Sequence, residues 1–359
     1  MEPNVSEKKT PTLGGLEQAL SGQPSFRLAQ VLKGFLNATN RGYSSLSPLP
    51  ASLRRELEKH WHFSTIENSR VVESKDGRVF KAVLDLREGG QTESVLMPNA
   101  RERYSLCVST QVGCPVGCIF CATGGMGFSR DLETLEIAEQ YRFWRRYLEN
   151  RFPDPFRISN IVIMGMGEPL LNYTSVKNAV RLWLAHTDVG QNAVTVSTVG
   201  ILPVMESLRH DPEWPNVRIA ISLHGADAAL RKKLVPRTPA DYHPRLKSWC
   251  REYARALGSR TRPLTVEYVM IRDMNDTPAE ARKLADFLNG LERVKVNLIP
   301  WNAVPGSRLQ PSPRTNVERF QKVLAEKGVF ATIRKSLGNE IAAACGQLAR
   351  RNRPPRANG

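Results

Sequence analysis

The sequence predicts an α/β protein whose strands form a parallel sheet curled into a partial or full α/β barrel, preceded by a small helical module. Three observations carry this. From residue 105 onward, short apolar runs alternate with stretches of helical period, the pattern of strands joined by crossover helices. Several of those runs are rich in Val and Ile at adjacent positions, as strands buried on both faces are. The chain has 359 residues, 41% of them hydrophobic, enough for a core larger than one small domain needs.

Residues 1–25 are rich in Pro, Gly, Ser and Lys and read as a flexible leader. Residues 26–70 read as a helical accessory domain. Leu28, Val31, Leu32 and Phe35 repeat at helical spacing, and a second helix follows Pro50 over 53–61. Residues 71–100 read as a β-rich connecting segment, with runs at 71–72, 79–86 and 94–97 and hairpin turns at Gly77 and Gly89-Gly90. In the core, 101–348, strands are expected at 105–110, 160–165, 193–198, 217–223, 264–270, 294–300 and 330–335. The helices between them are expected at 134–150, 176–186, 203–209, 244–257, 278–291 and 316–326. In such a barrel the site lies at the carboxyl ends of the strands. The last segment, 349–359, is basic and Pro-rich and reads as a disordered tail, either RNA-binding or simply solvated.

Lys and Arg number 51 and Asp and Glu 35, a formal charge of +16. The first 100 residues hold 13 basic and 11 acidic side chains, so the remaining 259 carry +14 of that excess. A basic bias confined to one part of a chain points to a polyanionic partner, most simply nucleic acid. No run of about 18 apolar residues occurs, and the N-terminus lacks the apolar region of a secretory signal, so a cytoplasmic protein with no membrane partner is expected.

Four of the six cysteines, Cys107, Cys114, Cys118 and Cys121, lie within fifteen residues. In a reducing compartment this points to metal or redox chemistry rather than to a disulfide framework. The spacing C-x3-C-x2-C follows a predicted strand. A structural zinc site would need a fourth ligand, and the nearest histidines, His62 and His186, are distant in sequence. Three thiolates on a four-iron cluster would leave one iron open to a small molecule. A closed zinc site stays open as the alternative reading.

With Phe120 before the third cysteine, this motif resembles the signature of the radical S-adenosylmethionine (SAM) superfamily. The flanking blocks resemble, more narrowly, the adenine-C2 RNA methyltransferase family: Leu106 to Cys114, Met164 to Asn172, Val194 to Thr198, Ile221 to Gly225, Val266 to Met270, Asn297 to Asn302 and Ala343 to Leu348. They stand in the family's order over most of the chain. The resemblance implies a partial (β/α)6-type radical SAM barrel holding a [4Fe-4S] cluster on Cys114, Cys118 and Cys121. It implies two SAM molecules per turnover, an external electron donor such as a flavodoxin system, and ribosomal RNA and tRNA as substrates. It assigns Cys345 as the cysteine that carries the methyl group and Cys107 as the second cysteine, which pairs with it in a disulfide to release the protein–RNA adduct. It assigns Glu93 as proton acceptor at carbon 2. It places Gly167, Glu168, Ser197, Ser222, Leu223, His224 and Asn302 against SAM.

The chemistry explains why a family with this reaction needs such parts. Carbon 2 of adenine is an electrophilic amidine carbon and does not attack the SAM methyl in an ordinary displacement, so a radical route is required. Two other readings remain at this point: methylation at carbon 8 of the same base with the same cysteines, and a non-catalytic iron–sulfur or zinc protein that binds RNA. Cys250, beside Trp249 on a helical stretch, reads as core.

Overall fold

The computed structural model describes residues 8–99, 103–153, 157–256 and 262–348. The basic tail expected at 349–359 lies outside the described residues. Helices α1 (Leu13–Ala19), α2 (Phe26–Leu36) and α3 (Ala51–His60) come first. Strands β1 (Ile66–Glu73), β2 (Phe80–Leu86), β3 (Gln91–Asn99) and β4 (Arg103–Val108) follow, and then a small hairpin, β5 (Gln111–Gly113) and β6 (Phe128–Asp131). The repeating part runs α4 (Thr134–Arg151), β7 (Ile158–Ile163), α5 (Tyr173–His186), β8 (Val194–Thr198), α6 (Leu202–Leu208), β9 (Arg218–Ser222), α7 (Ala228–Leu234) and α8 (Tyr242–Ala256). It ends with β10 (Leu264–Met270), α9 (Pro278–Leu288), β11 (Val294–Pro300), α10 (Arg314–Glu326) and β12 (Ala331–Ile333).

Among the described residues one sheet has the order β1-β2-β3-β4-β7-β8-β9-β10-β11-β12. Strands β1 to β4 pair antiparallel, and from β4 through β12 every pairing is parallel. This is the α/β architecture the alternation predicts, with β1–β3 extending the barrel sheet instead of forming a separate connecting segment. Strand β1 also begins inside the stretch read as helical, at Ile66.

Residues 1–7 of the expected leader lie outside the described residues, and the rest differs from expectation. Residues 13–19 are helical: the Thr12 hydroxyl accepts from Gly15 N, and Leu16 and Leu20 bury in the core. Two glycines in one turn hide this helix from a propensity reading; packing against Trp61 and its neighbours outweighs them. The helical module is fastened to the barrel by a buried network on α4. Arg142 donates to the carbonyls of Phe35 (3.0 Å) and Phe63 (3.1 Å) and pairs with Glu139. Glu139 in turn accepts from Thr65 N at 2.6 Å and from the Ser64 and Thr65 hydroxyls.

The strands have two unlike faces. Outward residues such as Leu106, Ile161, Val196, Ile219, Val266, Tyr268 and Leu298 join the main hydrophobic core under the helices. Inward residues are largely polar: Ser105, Asn160, Thr195, Arg218, Thr265, Glu267, Lys295 and Asn297 line a cavity of about 340 Å³. A barrel of this family of shapes is ordinarily filled by bulky apolar layers; here the interior stays open and polar, so a site occupies its depth.

Candidate active site

The cysteine loop is clamped at its base by β5 and β6. Gly113 stands at φ 86°, and a Cβ there would lie 2.1 Å from the Gly127 carbonyl oxygen, so only glycine lets the two strands meet. Beyond the clamp, Cys114, Cys118 and Cys121 all line one cavity at the carboxyl ends of the strands. Burial pushes the Cys114 thiol up to about 12 and the Cys118 thiol also upward. Among the described residues no three His, Cys, Asp or Glu side chains converge closely enough to hold a single ion. Three thiols spread around one cavity suit a polynuclear centre with one thiolate on each of three irons.

The far C-terminal segment is tied to this loop. Ala122 N donates to the Gly346 carbonyl at 2.8 Å, and the Thr123 hydroxyl donates to Leu348 O at 2.5 Å. Asn302 Nδ2 donates to Cys345 O at 3.0 Å, and Trp301 Nε1 to Phe120 O at 2.8 Å. Cys345 and Asn302 therefore stand between the cysteine-loop cavity and the polar barrel cavity and line both. The Cys345 thiol opens onto cavity space while protein crowds it, which pushes it up to about 11. Cys107 lines the barrel cavity too, and burial pushes its thiol up to about 12. Both are free thiols. The disulfide expected between them is thus not a feature of the fold; the hydrogen bonds of 122, 123 and 302, not a covalent link, hold the Cys345 segment in place.

Glu168 is 3% exposed and follows β7 in the turn Gly165-Met166-Gly167-Glu168-Pro169. Its Oε1 accepts from Thr198 Oγ1 (2.6 Å) and Leu170 N (3.0 Å), and its Oε2 from Val199 N (2.9 Å). Burial raises its pKa while these three donors pull it down. Oε2 keeps room for one more donor from the cavity. Gly167, at φ 104°, would put a Cβ 2.7 Å from Gln111 Cβ and Thr110 Oγ1, so the turn approaches β5 as only glycine allows.

His224 is buried at φ 58°, a left-handed position that costs a non-glycine residue about 1–2 kcal/mol. Asn275 Nδ2 holds it by donating to its carbonyl at 3.0 Å. Its Nδ1 accepts from Val269 N at 3.0 Å, and burial drives its pKa well down, so the ring is neutral with its proton on Nε2. The ring meets Phe120 edge-on at 4.6 Å. Ser197 and Ser222 lie with hydroxyl oxygens 3.3 Å apart and line the same cavity.

Two expected residues stand elsewhere. Leu223 is fully buried in the main core and absent from the lining of either cavity; its N–H donates to the Glu267 carbonyl at 3.0 Å and its own carbonyl accepts from Arg231. Glu93 is 3% exposed and is not part of either lining; its Oε1 pairs with Lys81 Nζ at 3.3 Å, and the same ammonium donates to Ala342 O at 3.3 Å. Sequence reasoning also missed residues. Arg231, which the sequence reading did not single out, is 1% exposed and donates to Val199 O (2.6 Å) and the Ser222 and Leu223 carbonyls, fixing the ends of β8 and β9. Glu267 lines both cavities.

Residues 108–288 match the Radical SAM superfamily. The dual-specificity RNA methyltransferase RlmN of Alcanivorax borkumensis is 38% identical over 333 residues, spanning 91% of this chain and 85% of that protein. The chain belongs to the dual-specificity RNA methyltransferase family. The family member of Anaeromyxobacter dehalogenans is also 38% identical and covers 98% of this chain and 95% of its own length. A radical SAM methyltransferase from Sphaerobacter thermophilus superimposes with a TM-score of 0.83 at 36% identity, covering 94% of this chain and 97% of that one. Radical SAM enzymes of this family use an iron–sulfur cluster and SAM, and the donor set fits: three cavity-facing thiols, a braced carboxylate and a neutral imidazole N–H. No helix among the described residues is long and apolar enough to cross a membrane.

Proposed function

We propose that this enzyme methylates carbon 2 of adenosine in large-subunit ribosomal RNA and in tRNA next to the anticodon, through a methyl group carried on Cys345. The observation that carries the reading is the placement of Cys345. A residue more than two hundred positions from the cysteine loop is hydrogen-bonded into the wall shared by the cluster-type cavity and the polar barrel cavity. The relatives' name, dual-specificity RNA methyltransferase, supports RNA as the substrate, and so does the +16 charge, which would grip a phosphate backbone and make binding salt-sensitive.

Bound together, the cluster and two SAM molecules per turnover supply a transferable methyl group and a 5′-deoxyadenosyl radical. Cys114, Cys118 and Cys121 would hold the cluster. Oε2 of Glu168 and the open backbone at Gly167 would receive the SAM amino group. The Nε2 proton of His224, the hydroxyls of Ser197 and Ser222 and the Asn302 amide would orient the remainder. Cys345 would accept the methyl and present it to a base taken out of its stack, as base-modifying enzymes require. Cys107, on the same cavity, would attack the Cys345 sulfur during turnover: the S–S bond forms as the bond from that sulfur to the base-linked methylene breaks, and the methylene keeps the electron pair, takes a proton and leaves as the methyl group of the RNA. A thiol reductant would then return both cysteines to free thiols. Glu93, which Lys81 links to the Ala342 loop next to Cys345, would take the proton from carbon 2. Delivery of electrons would fall to a flavodoxin-type donor, in the reducing cytoplasm where free thiols persist.

Nucleoside mass spectrometry tests this. The anaerobically reconstituted protein is incubated with SAM, a reductant and ribosomal RNA or tRNA. 2-Methyladenosine supports the reading and 8-methyladenosine moves the chemistry to carbon 8. Cleaved SAM without any methylated adenosine overturns RNA as the substrate.

A further inference from the structure

Glu267 is a buried acid in the interior of the barrel that no step above uses. It lies in the middle of β10, is 3% exposed, and lines both cavities. One carboxyl oxygen, Oε1, accepts from Asn297 Nδ2 at 2.9 Å. The Asn297 amide is itself oriented, because its Oδ1 accepts from the Thr332 hydroxyl at 2.7 Å. The second oxygen, Oε2, is buried and has no hydrogen-bond partner among the described residues. Buried polar atoms nearly always have partners, so an oriented acceptor left open on a cavity wall marks a place where a ligand donates.

The surroundings say which ligand. The Glu267 carboxyl and Cys345 line the same two cavities. Arg218, Lys295, Arg334 and Lys335 share the barrel cavity with Glu267, the one acid among its described lining residues, and burial, Arg218 and Arg334 push the Lys295 pKa down. One acceptor beside a thiol, backed by an excess of cations, matches a nucleotide: a base edge with a donor, and phosphates behind it. On adenine, carbon 2, N1 and the 6-amino group follow one another along the Watson–Crick edge. A base with carbon 2 at Cys345 therefore presents its amino group a few ångströms away on the same side. Guanine and hypoxanthine carry an oxygen at that position, whose lone pairs would face the lone pairs of Oε2.

We propose that Glu267 is the residue that selects adenine, accepting a hydrogen bond from its 6-amino group through Oε2 while Asn297 holds Oε1. This rests on the proposed carbon-2 methylation. It adds the element that reads the base.

The test exploits the pinned geometry. In Glu267→Gln, Asn297 Nδ2 retains the side-chain oxygen and turns the new NH2 toward the base, which reverses the preferred partner from donor to acceptor. Reconstituted wild type and variant are compared on a stem-loop RNA carrying adenosine or inosine at the target position. The wild type is expected to favour adenosine by about 10- to 100-fold in kcat/KM, the range for a site built around one charged hydrogen bond. In the variant the ratio is expected to move toward inosine by at least about tenfold. A structural role alone would slow both RNAs together, and an unchanged ratio overturns the proposal. SAM cleavage without RNA that is lost in the variant assigns the carboxyl to SAM and also overturns it. If wild type methylates neither RNA while cleaving SAM, the carbon-2 reading falls first and takes this inference with it.

Discussion

Lys81→Met is the substitution whose effect the structure sets most tightly. Lys81 is 5% exposed, and its ammonium sits 3.3 Å from both Glu93 Oε1 and the Ala342 carbonyl. Methionine matches its length without the charge. The change leaves a buried carboxylate beside a half-buried carbonyl, both stripped of that donor. Removing one partner of a buried ion pair costs about 3–5 kcal/mol, whereas replacing both by apolar groups is often near neutral. Lys81→Met is therefore expected to lower the unfolding free energy by about 3 kcal/mol. The double variant Lys81→Met/Glu93→Leu is expected to cost clearly less than the sum of its two single variants. Urea unfolding of the four proteins in reducing buffer gives the coupling energy. Amide hydrogen exchange reports the second consequence, faster exchange at 342–345, because the ammonium ties β2 to the loop that carries Cys345. A single variant within about 0.5 kcal/mol of wild type, or strict additivity, would refute the idea that this pair anchors the loop.

Other outcomes follow from the same geometry. Arg142→Met should destabilise by about 3–5 kcal/mol and raise protease sensitivity in the helical module first, since the module's Phe35 and Phe63 carbonyls lose their donor; limited proteolysis with urea unfolding reads both. Gly167→Ala should cost about 2–4 kcal/mol from the left-handed backbone and the 2.7 Å contacts, and should abolish SAM binding in calorimetry while Gly190→Ala, with open space around it, leaves SAM binding intact. Asp211 gives an acid dependence. Its carboxyl accepts from the Tyr173 hydroxyl at 2.7 Å and from Lys177 at 2.9 Å, which lowers its pKa to about 2. A folded pKa below the unfolded value of about 3.9 contributes stability that is complete above that value and is lost as pH falls toward 2. Wild type should lead Asp211→Asn by about 1–2 kcal/mol at pH 6, and the gap should shrink steadily below about pH 4 and vanish only below pH 2; unfolding midpoints against pH check it.

Much of the fold was legible because its strands are bounded apolar runs. β10 and β11 fall on the predicted residues, 264–270 and 294–300, and α4 differs from its predicted span by one residue. What stayed hidden was short or long-range. The β5–β6 hairpin has a three-residue strand and a bulge, and α7 is a single short helix rich in Arg and Lys. That Cys114, Cys118 and Cys121 gather around one cavity agrees with their close spacing in the sequence. The role of the barrel interior was not, since all seven residues of β10 are buried and a period of two leaves no trace when both faces are covered. Glu267 therefore read as one letter of a strand, and only the curl of the sheet turns it inward with Asn297 and Lys295. The Lys81 link spans 261 residues and has no local signature. Leu223 matched by sequence block, yet it lies just past the end of β9 and its side chain belongs to the core.

The central claim is that the methyl group passes through Cys345 before it reaches RNA. Peptide mass spectrometry after a single turnover with SAM bearing a deuterated methyl group tests it most directly. The account predicts label on the peptide containing Cys345 that then appears at carbon 2 of adenosine, with both signals lost in Cys345→Ala. Labelled 2-methyladenosine formed by Cys345→Ala, or formed while the Cys345 peptide stays unlabelled, would contradict it.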